Sequence, residues 1–525
     1  MGTAFVFVIL NAKFGVTLQL GAEKLTRQIN ELNKIEVMKK RRVLIFTALI
    51  SVALAAVISC AVNPVTGKKQ IMLMSEAQEV QMGLSYHPQV MASFGEYADP
   101  ELQTFVQSKG TEMGKLSHRP NLEYTIKVVD SPVVNAFAVP GGYIYLTRGI
   151  MANFNNEAEF MGVLGHEMGH ITARHSVSQQ TKQQLGTLLL IGGMIASEKF
   201  ANYAEQAMQG LQLLFLSFSR DDERQADQLG VEYASRTGYD AARMADFYKV
   251  LIKMNLSESE GGVPTFLSTH PDPGDRYNAV LRDSKQWQDS LRLQSYKIGA
   301  DSYLQMIDGM IYGEDPKQGY TRDNTFYHPE MRFKFSYPLG WNLTNAPTQV
   351  TIQPSDGKAL MLFTLSNQRS LQAAADTTLA MYGLQLQRAE RRTVNGLPAI
   401  VTLSRQQAQD QQTGATSSNA VISYFIEYGG MIYVIHGVST EADFAAYAPT
   451  MEASMKTFAQ LTDASRINVK PMRVHVKKAP RAGTLASTLS YYNMPQAMME
   501  ELALLNNMEL NEPVASGKYI KIVSE

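Results

Sequence analysis

The sequence predicts an α+β chain of several domains, and three observations carry that prediction. Alternating apolar and polar residues flank Pro140-Gly141-Gly142, the pattern of a small sheet with a turn. Longer stretches with helical character surround it, at 76–118, from 156 onward and at 219–237. A second strand-rich pattern begins at residue 326, and 525 residues are too many for one ordinary hydrophobic core. The expected order is a mainly helical domain with a small sheet over 60–300, a linker over 301–325, a smaller α/β domain over 326–460 and a short module over 461–525.

Composition narrows the class. Hydrophobic residues make up 45% and charged residues 18%, with a formal net charge of −1, as in soluble globular proteins. The basic excess or stripe of a nucleic-acid surface is missing, so no nucleic-acid partner is expected. The single cysteine, Cys60, rules out an intrachain disulfide framework and a cysteine-built metal site made by this chain alone.

Taken in order, residues 38–60 read MKKRRVLIFTALISVALAAVISC: four basic residues, then an apolar run from Val43 to Ile58. These are the charged and apolar regions of a secretory signal, and the run is short for a membrane span. The ending Val57-Ile58-Ser59-Cys60 resembles a bacterial lipobox. That resemblance implies a signal over 38–59 and a lipid on Cys60, with Ala61 resembling the pattern of outer-membrane sorting. An uncleaved N-terminal anchor with an incidental cysteine is the alternative. Either way the bulk of the chain is expected outside the cytoplasm. Met38 followed by Lys-Lys-Arg-Arg reads as a true start, which would make residues 1–37 a mis-called start or a non-native extension. A tryptic peptide from 14–27 in the native protein would refute this.

Further along, Asn156 with Glu159 three residues on forms a capping-box-like helix start, and Phe160, Met161, Val163 and Leu164 make the helix a buried one. The apolar run LGTLLLIGGMIA at 185–196 is about half the length of a bilayer crossing, and is read as a core-packed or groove-lining helix in preference to a membrane-dipping one. SRDDERQADQLGVEYASRT at 219–237 is a second clear helix, closed by Gly238. YGEDPKQGYTRDN is turn-rich, as a linker would be. RFKFSYPLGWNLT opens the next unit as an alternating strand, and AVISYFIEYGGMIYVIHGVS reads as a hairpin turning at Gly429-Gly430. The FKFSYPLGW start resembles PsbP-like domains. The tail resembles a LysM-type module: Thr-Leu opens one helix, Leu502 to Asn506 close a second, and Gly517 precedes a last strand. That likeness implies peptidoglycan as a partner.

The chemistry concentrates in GVLGHEMGHITARHS, residues 162–176. His166 and His170 lie four apart, so on a helix their rings project from one face, roughly 40° apart in rotation. Two imidazoles there can share one small cation, and Zn²⁺ suits their borderline softness. Glu167 points beside that ion, where the general base for an attacking water belongs. His175 lies roughly 180° round a continuous helix from His166 and is expected to face away. The metzincin pattern fails as well, since its bending glycine is Ala173 here and its third histidine is Ser176. A distant acidic residue is the other solution. Glu223 and Asp227 form E-x-x-x-D on the second helix, so that one carboxylate can ligate while the other, one turn on, orients a ligand histidine. A solvated acidic face, with Asp221, Asp222 and Glu232 nearby, is the plainer alternative.

HEMGHITARH followed by SRDDERQADQLG resembles the HtpX-like and BepA-like zinc endopeptidases, with gluzincin-type spacing. AVNPVTGKKQIMLMSEAQEVQMG, VVNAFAVPGGYIYLTRG and LSTHPDPGDR are similar too, in the same order, over residues 60–285. The resemblance implies a zincin-like first domain of the bacterial lipoprotein branch. It implies one Zn²⁺ per chain held by His166, His170 and Glu223, Asp227 orienting a ligand, and Glu167 as base and then acid. His270 and Arg276 match site-lining residues. His270 would stabilise the oxyanion, fold over the zinc as a fourth ligand and silence the enzyme, or be an ordinary loop residue. The strand at Asn135-Ala136-Phe137 would align an extended peptide by β-addition, or be a plain core strand. The implied activity is a periplasm-facing, outer-membrane-anchored endopeptidase for unfolded or misassembled envelope proteins. Two other readings stand beside it: a chaperone or assembly factor with a latched metal site, and a cell-wall-binding lipoprotein.

Overall fold

The structure, a computed structural model, describes residues 60–182, 218–257, 266, 270, 275–346, 348–409 and 416–525. The signal-like segment 38–59, the residues before it and the apolar run 185–196 lie outside the described residues. The chain divides into two units, 1–75 and 76–525. In the first, β1 (Cys60–Val62) and β2 (Lys69–Ile71) form an antiparallel hairpin. The Asn63 side chain stabilises its connection by accepting the Val65 and Thr66 N–H groups at 2.9 and 3.1 Å.

The second unit begins with α1 (Glu76–Phe94) and α2 (Pro100–Leu116). Asp99 caps α2 by accepting the Leu102 N–H, and Pro100 takes the first helical position, where a missing N–H costs nothing. A small sheet follows, of β3 (Thr125–Val129), β4 (Ala136–Val139) and β5 (Tyr143–Thr147). Its order is β3-β5-β4, with β3 parallel and β4 antiparallel to β5, so β4 is an edge strand. Gly141 and Gly142 make the β4–β5 turn at φ of +90° and +101°, values that exclude most side chains.

The short α3 (Arg148–Asn153) leads into α4 (Glu157–Thr172), every residue of which is buried, the charged and imidazole side chains Glu157, Glu159, His166, Glu167 and His170 included. Asn156 caps α4 by accepting the Glu159 N–H, and the Glu159 carboxylate returns to the Asn155 N–H and the Asn156 side-chain amide, both at 2.8 Å. Next come α5 (Arg220–Arg236), opened by a Ser219–Asp222 capping box, then α6 (Arg243–Ser257), α7 (Arg276–Leu291) and α8 (Ala300–Met306). α4 packs along α5, and β4 packs on α4.

The segment read as a linker is bonded to the helical domain along its length. Tyr303 donates to the Met151 carbonyl at 2.6 Å, Arg148 donates to the Ile311 carbonyl, and Gln318 donates to Asp130. Beyond it, β6 (Tyr320–Arg322), β7 (Thr325–His328) and β8 (Phe333–Ser336) form one sheet. The larger sheet is fully antiparallel and contains β9 (Trp341–Ala346), β10 (Gln349–Pro354), β11 (Ala359–Ser366), β12 (Gln385–Val394), β13 (Leu397–Gln409), β14 (Thr416–Tyr428) and β15 (Met431–Thr440), in the order 12-13-14-15-11-10-9. α9 (Leu371–Met381) covers one face, while Phe333, Phe363, Tyr433 and Phe458 fill the other. The β14–β15 hairpin turns at Gly429-Gly430, as the sequence predicts.

The tail is a β-α-α-β module. β16 (Arg473–Lys478) pairs with β17 (Tyr519–Ser524), and α10 (Leu485–Tyr491) and α11 (Met499–Leu505) lie between them. Lys521 of β17 is fully buried, and its ammonium donates to the carbonyls of Ala152, Asn153 and Phe154 at 2.8, 3.4 and 3.1 Å. Three acceptors match the three protons of an ammonium, and they are the terminal carbonyls of α3, where a cation is favoured. Among the described residues no helix is long and apolar enough to cross a membrane.

Candidate metal centre

α4 supplies His166 and His170 from one face, and α5 brings Glu223 against them. His270 completes a group of four whose donor atoms all lie within 4.8 Å of one another, with all four residues buried. The Nε2 atoms of His166 and His170 are 3.1 Å apart, and His166 Nε2 lies 3.2 Å from His270 Nδ1. Glu223 Oε1 is 3.1 Å from His270 Nδ1 and 3.5 Å from His170 Nε2, and its Oε2 is 3.6 Å from His166 Nε2.

Imidazole lone pairs converging with a carboxylate repel one another unless a positive charge sits among them. Among the described residues, Glu223 Oε2 is buried without a hydrogen-bond partner, and so are both oxygens of Glu167. Nitrogen donors with one carboxylate suit Zn²⁺, so the residues present fit the metal.

The surroundings orient these donors. His166 Nδ1 donates to Asp227 Oδ1 at 2.9 Å, which leaves Nε2 with its lone pair toward the group. Asp227 is gripped in turn by Arg276, at 2.6 Å from Nη2 and 2.8 Å from Nε, and by the Tyr248 hydroxyl at 2.6 Å. Burial alone would raise the Asp227 carboxyl, but Arg276 and His166 outweigh it and hold the group well below the carboxylate range. For Glu167 burial wins over the attraction of His270 and His166, and its carboxyl is raised. Burial opposes charging His270, yet Glu223 and Glu167 raise it overall, the latter from 3.6 Å. Burial, reinforced by His166 and His175, drives His170 well below its ordinary value.

Chains of known function point the same way. The model of peptidase family M48 matches residues 100–283. The beta-barrel assembly-enhancing protease of Escherichia coli K12 is 27% identical over 239 residues, covering 44% of this chain and 48% of that protein. The mitochondrial metalloendopeptidase OMA1 of Arabidopsis thaliana is 31% identical over 195 residues, covering 36% and 38%. The matched stretch thus spans about half the length of these curated relatives or less. Cyanobacterial PsbP from Synechocystis covers 26% of this chain at 12% identity, with 91% of its own length and a TM-score of 0.21, too slight a likeness to argue from.

Within the matched residues 100–283, Asn135 directly precedes edge strand β4, which Ala136 and Phe137 open. The Phe137 ring is committed to the core, stacked on Tyr145 at 5.1 Å, while the Asn135 Oδ1 is buried without a partner among the described residues. Cys60 opens β1 in the separate N-terminal unit. Pro271 to Gly274, which follow His270, lie outside the described residues.

Extrapolating a continuous helix misplaced His175. It is not one of the four clustered residues, but it does not face away either. α4 ends at Thr172, Arg174 adopts φ of +59°, and a helical course resumes at His175. This turn brings His175 Nδ1 to 3.0 Å from His170 Nδ1, while its Nε2 meets Gln225 Oε1 at 2.9 Å. A left-handed arginine costs roughly 1–2 kcal/mol. Glu79, buried on α1, braces it by accepting Arg174 Nε and Arg119 Nη1, both at 2.9 Å. That brace is 95 residues away in sequence, so no local signal announced it. Two aromatic rings were missed as well: Phe218 stacks on His170 at 4.0 Å, and Phe266 on His270 at 4.7 Å.

Proposed function

We propose that this chain is a zinc-dependent endopeptidase hydrolysing peptide bonds of unfolded or misassembled cell-envelope proteins. One observation carries the proposal: Glu167 is a fully buried carboxylate with no hydrogen-bond partner on either oxygen among the described residues, set beside a group able to hold a metal. Such a group is costly to keep unless it serves a reaction.

His166, His170 and Glu223 would hold one Zn²⁺ per chain. When bound, the ion would polarise the scissile carbonyl and acidify the attacking water. Glu167 takes the proton of that water and delivers it to the leaving amine; its raised carboxyl suits both roles. Asp227, held by Arg276 and Tyr248, keeps the His166 ring aimed. An extended peptide would lie along β4 at Asn135-Ala136-Phe137 by β-addition, which its edge position supports. His270 would donate to the developing oxyanion once it leaves the other three residues.

The position of His270 also favours a second reading. With Nδ1 in contact with both His166 and Glu223, it stands as a fourth donor, as in an assembly factor whose metal site is latched. The name of the Escherichia coli relative supports β-barrel proteins of the envelope as the substrate class. A lipid on Cys60 would anchor the chain to the outer membrane facing the periplasm, and the LysM-like module would add contact with peptidoglycan, a cell-wall-binding role that co-sedimentation of the full chain with peptidoglycan tests.

Zinc content and casein cleavage, measured together, test the main reading. Wild type should hold one zinc and cleave, Glu167→Gln should hold zinc without cleaving, and Glu223→Ala should lose both. A zinc-loaded wild type that cleaves no unfolded protein leaves the latched reading. Stoichiometric zinc in Glu223→Ala overturns the ligand assignment.

A further inference from the structure

The two histidines of α4 are oriented by different chemistries. His166 Nδ1 rests on a carboxylate, Asp227. His170 Nδ1 rests on another imidazole, His175, 3.0 Å away with the rings steeply tilted at 75°. Only one assignment of protons satisfies this second contact. His170 must keep the lone pair on Nε2, which faces His166 and Glu223, so its proton is on Nδ1. His175 Nδ1 must then accept that proton, which places the His175 proton on Nε2. Gln225 presents an oxygen to that nitrogen at 2.9 Å, and Asp222 Oδ1 lies 3.7 Å from it. The three groups form a directed chain from Gln225 through His175 to His170, each hydrogen bond fixing the next tautomer.

We propose that His175 and Gln225 are positioning residues that lock His170 in the Nδ1–H tautomer and so present its Nε2 lone pair to the metal. His175 is buried, and the left-handed turn at Arg174 that delivers it is held by Glu79. This geometry cannot arise on an unbroken helix, where residues five apart lie on different faces. The relay rests on the zinc reading above and supplies a constraint that reading lacks, since among the described residues no carboxylate holds His170 Nδ1.

The test is zinc affinity of the full chain, by competition with a chelator of known strength, with activity left aside. His175→Phe keeps a buried ring and removes the acceptor; it should weaken zinc binding by roughly 10–100-fold. His175→Asn keeps an oxygen near the Nδ1 position and should restore affinity to within about threefold. Gln225→Leu lies on the half-buried face of α5 and leaves the core intact; it should weaken zinc by about three- to tenfold, because the His175 tautomer is then unfixed. If His175→Phe fails to fold, the contrast between His175→Asn and Gln225→Leu decides. Equal affinity in wild type and Gln225→Leu overturns the relay, as does a His175→Asn loss as large as that of His175→Phe. A wild type that binds no zinc overturns the metal reading itself, and the relay falls with it.

Discussion

Gly165 of α4 and Gly230 of α5 meet so closely that a Cβ on Gly165 would lie 2.9 Å from the Gly230 carbonyl oxygen, and one on Gly230 would lie 3.0 Å from the backbone nitrogen of His166. This crossing lets α5 approach near enough for Glu223 and Asp227 to reach His166. Gly165→Ala should gain about 1 kcal/mol of helix propensity but lose about 1–3 kcal/mol to overpacking. The expected outcome is a lower melting temperature and a zinc affinity at least tenfold weaker by chelator competition. Unchanged zinc affinity would separate the helix crossing from the metal group.

Asp227→Asn removes the anion that holds Arg276 and His166. The buried guanidinium loses its hydrogen-bonded countercharge and keeps only Glu223, 3.5 Å away, so the loss is about 3 kcal/mol. Chemical denaturation should register that loss, and metal affinity should fall roughly 10–100-fold. Arg276→Met combined with Asp227→Asn should recover part of the stability without recovering the metal affinity, because His166 stays unoriented.

In the sheet domain, burial lowers His436 from 6.5 to about 4, and its Nδ1 shares a hydrogen bond with the Ser423 hydroxyl at 2.7 Å. The unfolded chain therefore binds a proton between pH 6.5 and about 4 that the folded domain refuses. Stability is lost as pH falls through that window, by up to about 3 kcal/mol. His436→Gln, which cannot charge, should flatten the acid limb of a stability-against-pH curve. An unaltered limb would assign acid sensitivity to other groups.

Lys521→Met keeps the length of the side chain and removes the ammonium. The carbonyls of Ala152, Asn153 and Phe154 lose their shared donor, at a cost of about 1–3 kcal/mol. Limited proteolysis should then cut the C-terminal module away earlier than in wild type.

The α+β order and much of the metal group were legible because they are local. His166, Glu167 and His170 sit within one turn of a helix whose cap and apolar run can be read directly, and the hairpin at Gly429-Gly430 announces itself by its turn. Taken alone, the acids of α5 read as a wetted surface; the E-x-x-x-D spacing of Glu223 and Asp227 on a capped helix became telling only beside His166 and His170 upstream, and the family likeness strengthened it. His175 was lost for the opposite reason: helical periodicity was applied one turn too far, past a left-handed arginine stabilised by Glu79 on α1. The linker at 301–325 looked loose because turn residues dominate it, whereas partners such as Arg148 and Asp130 lie on elements far upstream.

The buried Lys521 also bears on how the molecule is made. Its partners at the end of α3 are synthesised some 369 residues earlier and cannot be satisfied until β17 exists. A nascent or truncated chain would therefore carry an unfinished joint directly ahead of the capped start of α4. The helix that carries His166 and His170 is in this sense completed late, by a residue of β17.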